Sequence, residues 1–95
     1  MTTAFFTHPA CIEHDTGQGH PERPQRLEAI LMALDEPEFG KLERREAPAA
    51  EIAHITRVHH QSYAQDLLQR VPQRGWVALD GDTLMSPGSG EAARQ

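Results

Sequence analysis

The sequence has a single cysteine, Cys11, so no disulfide framework can form and nothing suggests an oxidising compartment. Aromatic residues are scarce, with one Trp, one Tyr and three Phe. No stretch approaches the ~20 apolar residues of a membrane span. The first residues, Met1 to Phe6, carry neither the basic stretch nor the long apolar run of a secretory signal, which leaves the cytoplasm as the expected location. Positive charge is also short: 9 Lys and Arg stand against 14 Asp and Glu, a formal net charge of -5. The one adjacent basic pair, Arg44 and Arg45, is flanked by Glu43 and Glu46, so no clustered basic face for nucleic acid is expected. Repeats and low-complexity tracts are absent as well.

What is present reads as a soluble α/β segment. Hydrophobic residues make up 38% of the 95, too many for a disordered tail. Residues 1–95 form one unit, and a unit this short has a thin core. The β-branched and aromatic residues of Thr2 to Thr7 predict a short, buried strand. From His8 to Pro24 the prolines and glycines predict a long loop, and ordered loops of such length tend to be functional. Pro24 suits the first position of a helix. Leu27, Ile30, Leu31 and Leu34 then recur at i, i+3, i+4 and i+7, the signature of one apolar helical face, ended by Pro37 and Gly40. Leu42 to Ala47 is a weak strand candidate. Ile52, Ile55 and Val58 suggest a short helix, and Tyr63, Leu67 and Val71 another, stopped by Pro72 and Gly75. Trp76 to Leu79 is a short apolar run before a polar loop, Asp80 to Asp82. Ser86 is expected to cap a last helix, with Pro87 at its first position.

The segment His14-Asp15-Thr16-Gly17-Gln18-Gly19-His20-Pro21-Glu22-Arg23-Pro24-Gln25-Arg26-Leu27 resembles the "HD…GHPERPxRL" signature of class II-type zinc-dependent deacetylases, the histone deacetylase and acetylpolyamine aminohydrolase family. The resemblance continues, in order, through Arg57-Val58-His59 and Tyr63, through Leu79-Asp80-Gly81-Asp82-Thr83, and through Ser86-Pro87-Gly88-Ser89 with Glu91-Ala92-Ala93. It implies the N-terminal portion of a three-layer α/β/α fold with a mainly parallel sheet and active-site loops at the carboxyl ends of the strands, as open α/β sheets generally have. Two such loops would be residues 14–27, one wall of a substrate channel, and residues 79–89. By the same resemblance His20 and Pro21 would lie at the channel rim, Arg26 deeper, behind the catalytic centre. Asp82 would accept hydrogen bonds from the substrate backbone, a task suited to a carboxylate because charge-assisted hydrogen bonds are the stronger ones. Asp80, two residues away, is the competing assignment.

The family's chemistry is metal-assisted amide hydrolysis of acetylated lysine or acetylated polyamines, in which zinc polarises the acyl carbonyl and activates water. The resemblance places the zinc ligands and catalytic histidines beyond residue 95. Six histidines invite a metal reading all the same. His8, His14 and His20 lack the tight spacing that fixes ligand geometry, and no Asp-x-His pair occurs. His59-His60 looks like the family's proton-transferring pair but stands in the wrong context. A helix-boundary role for His59 is the expectation, and Cys11 is expected to be a small packed residue.

Two functions follow. One is an N-terminal deacetylase segment, a truncated product that is inactive alone and contributes channel walls without a reaction centre. The other is a small non-catalytic α/β module that binds a protein partner. The run Glu91 to Gln95, halting inside an expected buried helix, favours the first. Either way, edges left by strands starting near Thr2 and Trp76, together with the apolar helix face, are expected to leave surface open to association.

Overall fold

The computed structural model describes residues 1–95 and is an α/β arrangement. Strand β1 (Ala4–Thr7) pairs in parallel with β2 (Glu43–Glu46), in the register Ala4↔Glu43 to Thr7↔Glu46. Parallel neighbours need a crossover. Here it runs through a 3₁₀ turn (Pro9–Glu13), the loop that follows, helix α1 (Pro24–Leu34) and a second 3₁₀ turn (Pro37–Phe39). Pro24 opens α1 from an extended Arg23, since a residue before proline is kept out of the helical region. The same constraint from Pro37 holds Glu36 extended. Two short helices follow, α2 (Ile52–Ile55) and α3 (Gln61–Gln69). An antiparallel hairpin of β3 (Val77–Ala78) and β4 (Leu84–Met85) and a final helix α4 (Ser89–Arg94) complete the chain.

Several expectations need correction. Strand β1 is not buried: its residues alternate between exposed and half-exposed, and Phe6 keeps 52% of its surface open. The guanidinium of Arg45 lies over the Phe6 ring at 5.9 Å, so water-facing charge covers what a second layer would otherwise cover. The stretch after His8 is not all loop, because the His8 imidazole accepts the Ala10 N–H at 3.0 Å and starts the 3₁₀ turn. Ser86 does not cap a helix. Gly88 takes that position, and the Ser86 hydroxyl is turned instead toward the Asp15 N–H. The strand at Val77 does not leave both edges open, since β4, not anticipated from sequence, pairs with it. Val58 and Val71 fall beyond the ends of α2 and α3.

The core is small and half polar. Six residues are buried: Ala10, Ala64 and Met85 with Thr16, Ser86 and Ser89. Three of them, Ala10, Ser86 and Ser89, lie where the start of α4 meets the Pro9–Glu13 turn. Gly88 permits that meeting: a Cβ there would collide with the Glu13 carbonyl oxygen and stand 2.7 Å from the Glu13 Cβ. By contrast the α1 apolar face is only half covered, and Ile30 is 51% exposed. The accessible surface, 7224 Å², exceeds the ~5,500 Å² of a folded monomer of this mass by about 1,700 Å². The radius of gyration, 15.3 Å, likewise exceeds the ~12 Å of a compact domain of this length. No helix is long and apolar enough to cross a membrane.

Candidate functional site: two loops joined at His20 and Asp82

The loop of residues 14–27 is tied down at its base. His14 Nδ1 lies 2.6 Å from the Ser89 hydroxyl, which also accepts the Ser86 N–H at 2.8 Å. The Asp15 N–H donates to the Ser86 hydroxyl at 2.9 Å. Thus two loop residues are held by two side chains at the start of α4, more than 70 positions on. Within the loop the Thr16 hydroxyl donates to the Glu22 carbonyl, and the Gly17 N–H to the Asp15 carboxylate at 2.9 Å. Gly17 has φ +88°, a left-handed conformation that glycine adopts without the steric cost other residues meet. Buried polar groups that are all paired make a rigid unit.

The second loop, at the tip of the β3–β4 hairpin, is organised by Asp80. Its carboxylate accepts the Asp82 N–H at 2.8 Å and faces the Thr83 hydroxyl. These hydrogen bonds, the Asp82 N–H first, hold the Asp80 carboxyl below its ordinary pKa by favouring the charged form. The Leu79 N–H donates to the Thr83 carbonyl at 2.8 Å and closes the turn.

Beyond the anchors at Ser86 and Ser89, a third hydrogen bond joins the first loop to the hairpin tip. His20 Nε2 lies 2.7 Å from the Asp82 carbonyl oxygen, and His20 Nδ1 accepts the Glu22 N–H at 3.0 Å. His20 and Asp82, both singled out from sequence, are therefore adjacent although 62 positions separate them. Pro21 is exposed beside them. Arg26 is not part of this contact: its guanidinium pairs with Glu22 at 3.0 Å, both side chains about 60% exposed. Arg26 also borders a recess of about 230 Å³ with Cys11, His14 and Leu27. The largest groove, about 840 Å³, lies on another side of the loop, between Asp15, Gly17, Glu28 and Trp76, and includes none of the four candidate residues. Sequence reasoning missed Ser86 and Ser89 as loop anchors. Their i, i+3 spacing was visible, but their partners are far away in the chain.

The histidines serve mostly as backbone acceptors. His8, His20 and His60 each accept the N–H two residues on, and His54 accepts the Glu51 N–H at 3.1 Å in a reciprocal cap of α2. The helix-boundary role expected of His59 belongs to His60, which caps α3, because only His60 immediately precedes its first turn. His59 instead packs on the Tyr63 ring at 5.8 Å. No three His, Cys, Asp or Glu side chains come together in a way that could hold a metal ion. The donors on these 95 residues thus do not fit a zinc site. Arg44 and Arg45 are neutralised locally, by Asp35 at 3.4 Å and by Glu43.

No family model matches the sequence. The uncharacterized protein slr0245 of Synechocystis sp. (strain ATCC 27184 / PCC 6803 / Kazusa) is 34% identical over 97 residues, which cover 87% of this chain and 28% of that protein. Among solved structures, the crystal structure of the HDA15 HD domain matches with a TM-score of 0.84 at 24% identity. That match covers 99% of this chain and 28% of the HDA15 chain, and it shows that the fold is shared. The chain therefore spans less than a third of the length of each.

Proposed function

We propose that these 95 residues are the channel-wall segment of a zinc-dependent deacetylase, acting in amide hydrolysis on acetylated lysine or acetylated polyamines once joined to the residues that hold zinc. The observation that carries this reading is the meeting of two loops at His20 and Asp82. Each loop bears part of the deacetylase-like sequence pattern, and the fold they sit on is shared with the HDA15 HD domain over 99% of the chain.

In this reading Asp82 is the residue that accepts hydrogen bonds from substrate, and Asp80 is its support. The Asp80 carboxylate is already engaged by Asp82 and Thr83, whereas the Asp82 carboxylate has no hydrogen-bond or ion-pair partner in the chain. An exposed, unpartnered carboxylate on a backbone held by its neighbours is an acceptor ready for a ligand's N–H groups. His20 and Pro21 form the rim. Arg26, paired with Glu22 at the surface, is the member for which the structure offers least support. Zinc, when present in the joined protein, supplies the Lewis acid and the activated water. This chain supplies shape and substrate positioning, so alone it is inactive. A cytoplasmic location belongs to the same reading.

The test is a chimera in which residues 1–95 replace the matching segment of the HDA15 HD domain, assayed on acetyl-lysine peptide and acetylated polyamine. Zinc-dependent turnover by the chimera, with none by the 95-residue chain, is expected. A well-folded chimera without turnover on either substrate would contradict the reading.

A further inference from the structure

We infer that His20 is a positioning residue, a clasp that fixes Asp82 by holding its backbone carbonyl from the opposite loop. The inference rests on the reading of Asp82 just given and assigns His20 a role through Asp82 instead of toward substrate. Asp82 is gripped at both backbone groups: its N–H by the Asp80 carboxylate at 2.8 Å and its carbonyl by His20 Nε2 at 2.7 Å. Only its side chain is left free. The grip requires one tautomer. His20 Nδ1 accepts the Glu22 N–H at 3.0 Å and so carries no proton, which places the ring proton on Nε2, where it donates to the Asp82 carbonyl. The Glu22 N–H thus selects the protonation pattern that lets His20 reach across to the hairpin.

The arrangement is rigid from His20 outward. The carbonyl of the same Glu22 accepts from the buried Thr16 hydroxyl, and Thr16 follows the His14–Asp15 anchor to α4. A line of hydrogen bonds therefore runs from α4 through the loop to His20 and across to Asp82. Without the clasp, the exposed hairpin tip would keep its internal turn and its tie through Ser86, but Asp82 would be held at its N–H alone.

Asparagine and glutamine separate the two halves of the clasp, because Asn can imitate Nδ1 and Gln can imitate Nε2. The experiment is nitrogen-15 NMR on the full 95-residue chain, as wild type, His20→Asn and His20→Gln. Wild-type His20 is expected to show the pattern of a neutral ring protonated at Nε2. His20→Asn is expected to leave the Glu22 amide near its wild-type position while moving the Gly81, Asp82 and Thr83 amides beyond a linewidth. His20→Gln is expected to bring those three back toward wild type. A neutral His20 protonated at Nδ1, or hairpin amides indifferent to His20→Asn, would overturn the clasp. An undispersed amide spectrum would overturn it too, since a contact between residues 62 positions apart requires the tertiary fold. The deacetylase reading stands or falls separately, on turnover by the chimera.

Discussion

The loop corner and the helical wall of this chain are built on opposite terms. At the corner, formed by residues 14–27, the hairpin tip and the start of α4, side chains from distant parts of the sequence satisfy one another, and three of the six buried residues are polar and hydrogen-bonded there. Along the wall, apolar side chains face outward: Val58 is 82% exposed, Met32 74% and Tyr63 55%. An apolar groove of about 370 Å³ runs between α2 and α3, bordered by Ile55, Val58, Tyr63 and Leu67. The difference shows where the chain's order comes from. Polar pairing, which depends on direction, places the loops accurately with little buried area, whereas the hydrophobic driving force grows with area removed from water and is mostly unrealised along the wall.

The largest expected effect concerns the wall as a whole. Chemical denaturation of the monomeric 95-residue chain is expected to give an unfolding free energy below the ~5 kcal/mol at the lower end for natural domains. Joining the chain to the rest of the HDA15 HD domain is expected to raise it by several kcal/mol. A steep transition well above ~5 kcal/mol for the chain alone would mean that the wall needs no cover.

Breaking the corner sterically comes next. Gly88→Ala forces a Cβ against the Glu13 backbone, so α4 must move off the 3₁₀ turn. A loss of about 3 kcal/mol is expected, the upper part of the range for overpacking, read as a shift in the denaturation midpoint of the chimera. An unchanged midpoint would show that the close approach is not maintained.

A matched pair then sharpens the contrast. Ser89→Ala removes the partner of both His14 and the Ser86 N–H, and is expected to cost about 1–3 kcal/mol in the isolated chain, since buried polar groups are left unpaired. Val58→Ser, on the wall of the isolated chain, is expected to change stability by no more than ~0.5 kcal/mol while raising the monomeric fraction seen in sedimentation. Equal losses for the two would erase the distinction between corner and wall.

The smallest effect is one of pH. The folded Asp80 carboxyl titrates below its unfolded value, so its contribution is fully present above the ordinary carboxylate range and is lost as the pH falls through the lower folded value. Acidification is therefore expected to loosen the hairpin tip, with the Asp82 and Thr83 amides moving together as Asp80 protonates. Asp80→Asn, which cannot titrate there, should lose that movement. Its persistence in the variant would assign the effect elsewhere.

How far the sequence revealed this follows the same division. Helix α1 was legible because Pro24 and the spacing of Leu27, Ile30, Leu31 and Leu34 are local signals, and β2, the start of α2 and the presence of α3 were found in the same way. Strand β4 was not legible, because Leu84 and Met85 are too few to make a pattern and become a strand only by pairing with Val77 and Ala78. Ser86 was misplaced as a cap because its hydroxyl is claimed by Asp15, 71 positions earlier, a competition no local rule contains. The site residues were reached through a resemblance spread over separate segments, and nothing local predicted that His20 and Asp82 would touch. The division between His59 and His60 turned on one residue of helix boundary, finer than sequence periodicity resolves.

The central claim is that the free carboxylate of Asp82, not that of Asp80, receives substrate. The most direct measurement compares kcat/KM of the chimera with that of its Asp82→Ala and Asp80→Asn variants on an acetylated peptide. Asp82→Ala is expected to reduce kcat/KM by the equivalent of about 2–4 kcal/mol, the loss of a charge-assisted contact in a closed site. Asp80→Asn, which keeps an oxygen for the Asp82 N–H, is expected to reduce it far less. A chimera whose kcat/KM is indifferent to Asp82→Ala but falls with Asp80→Asn would contradict the account.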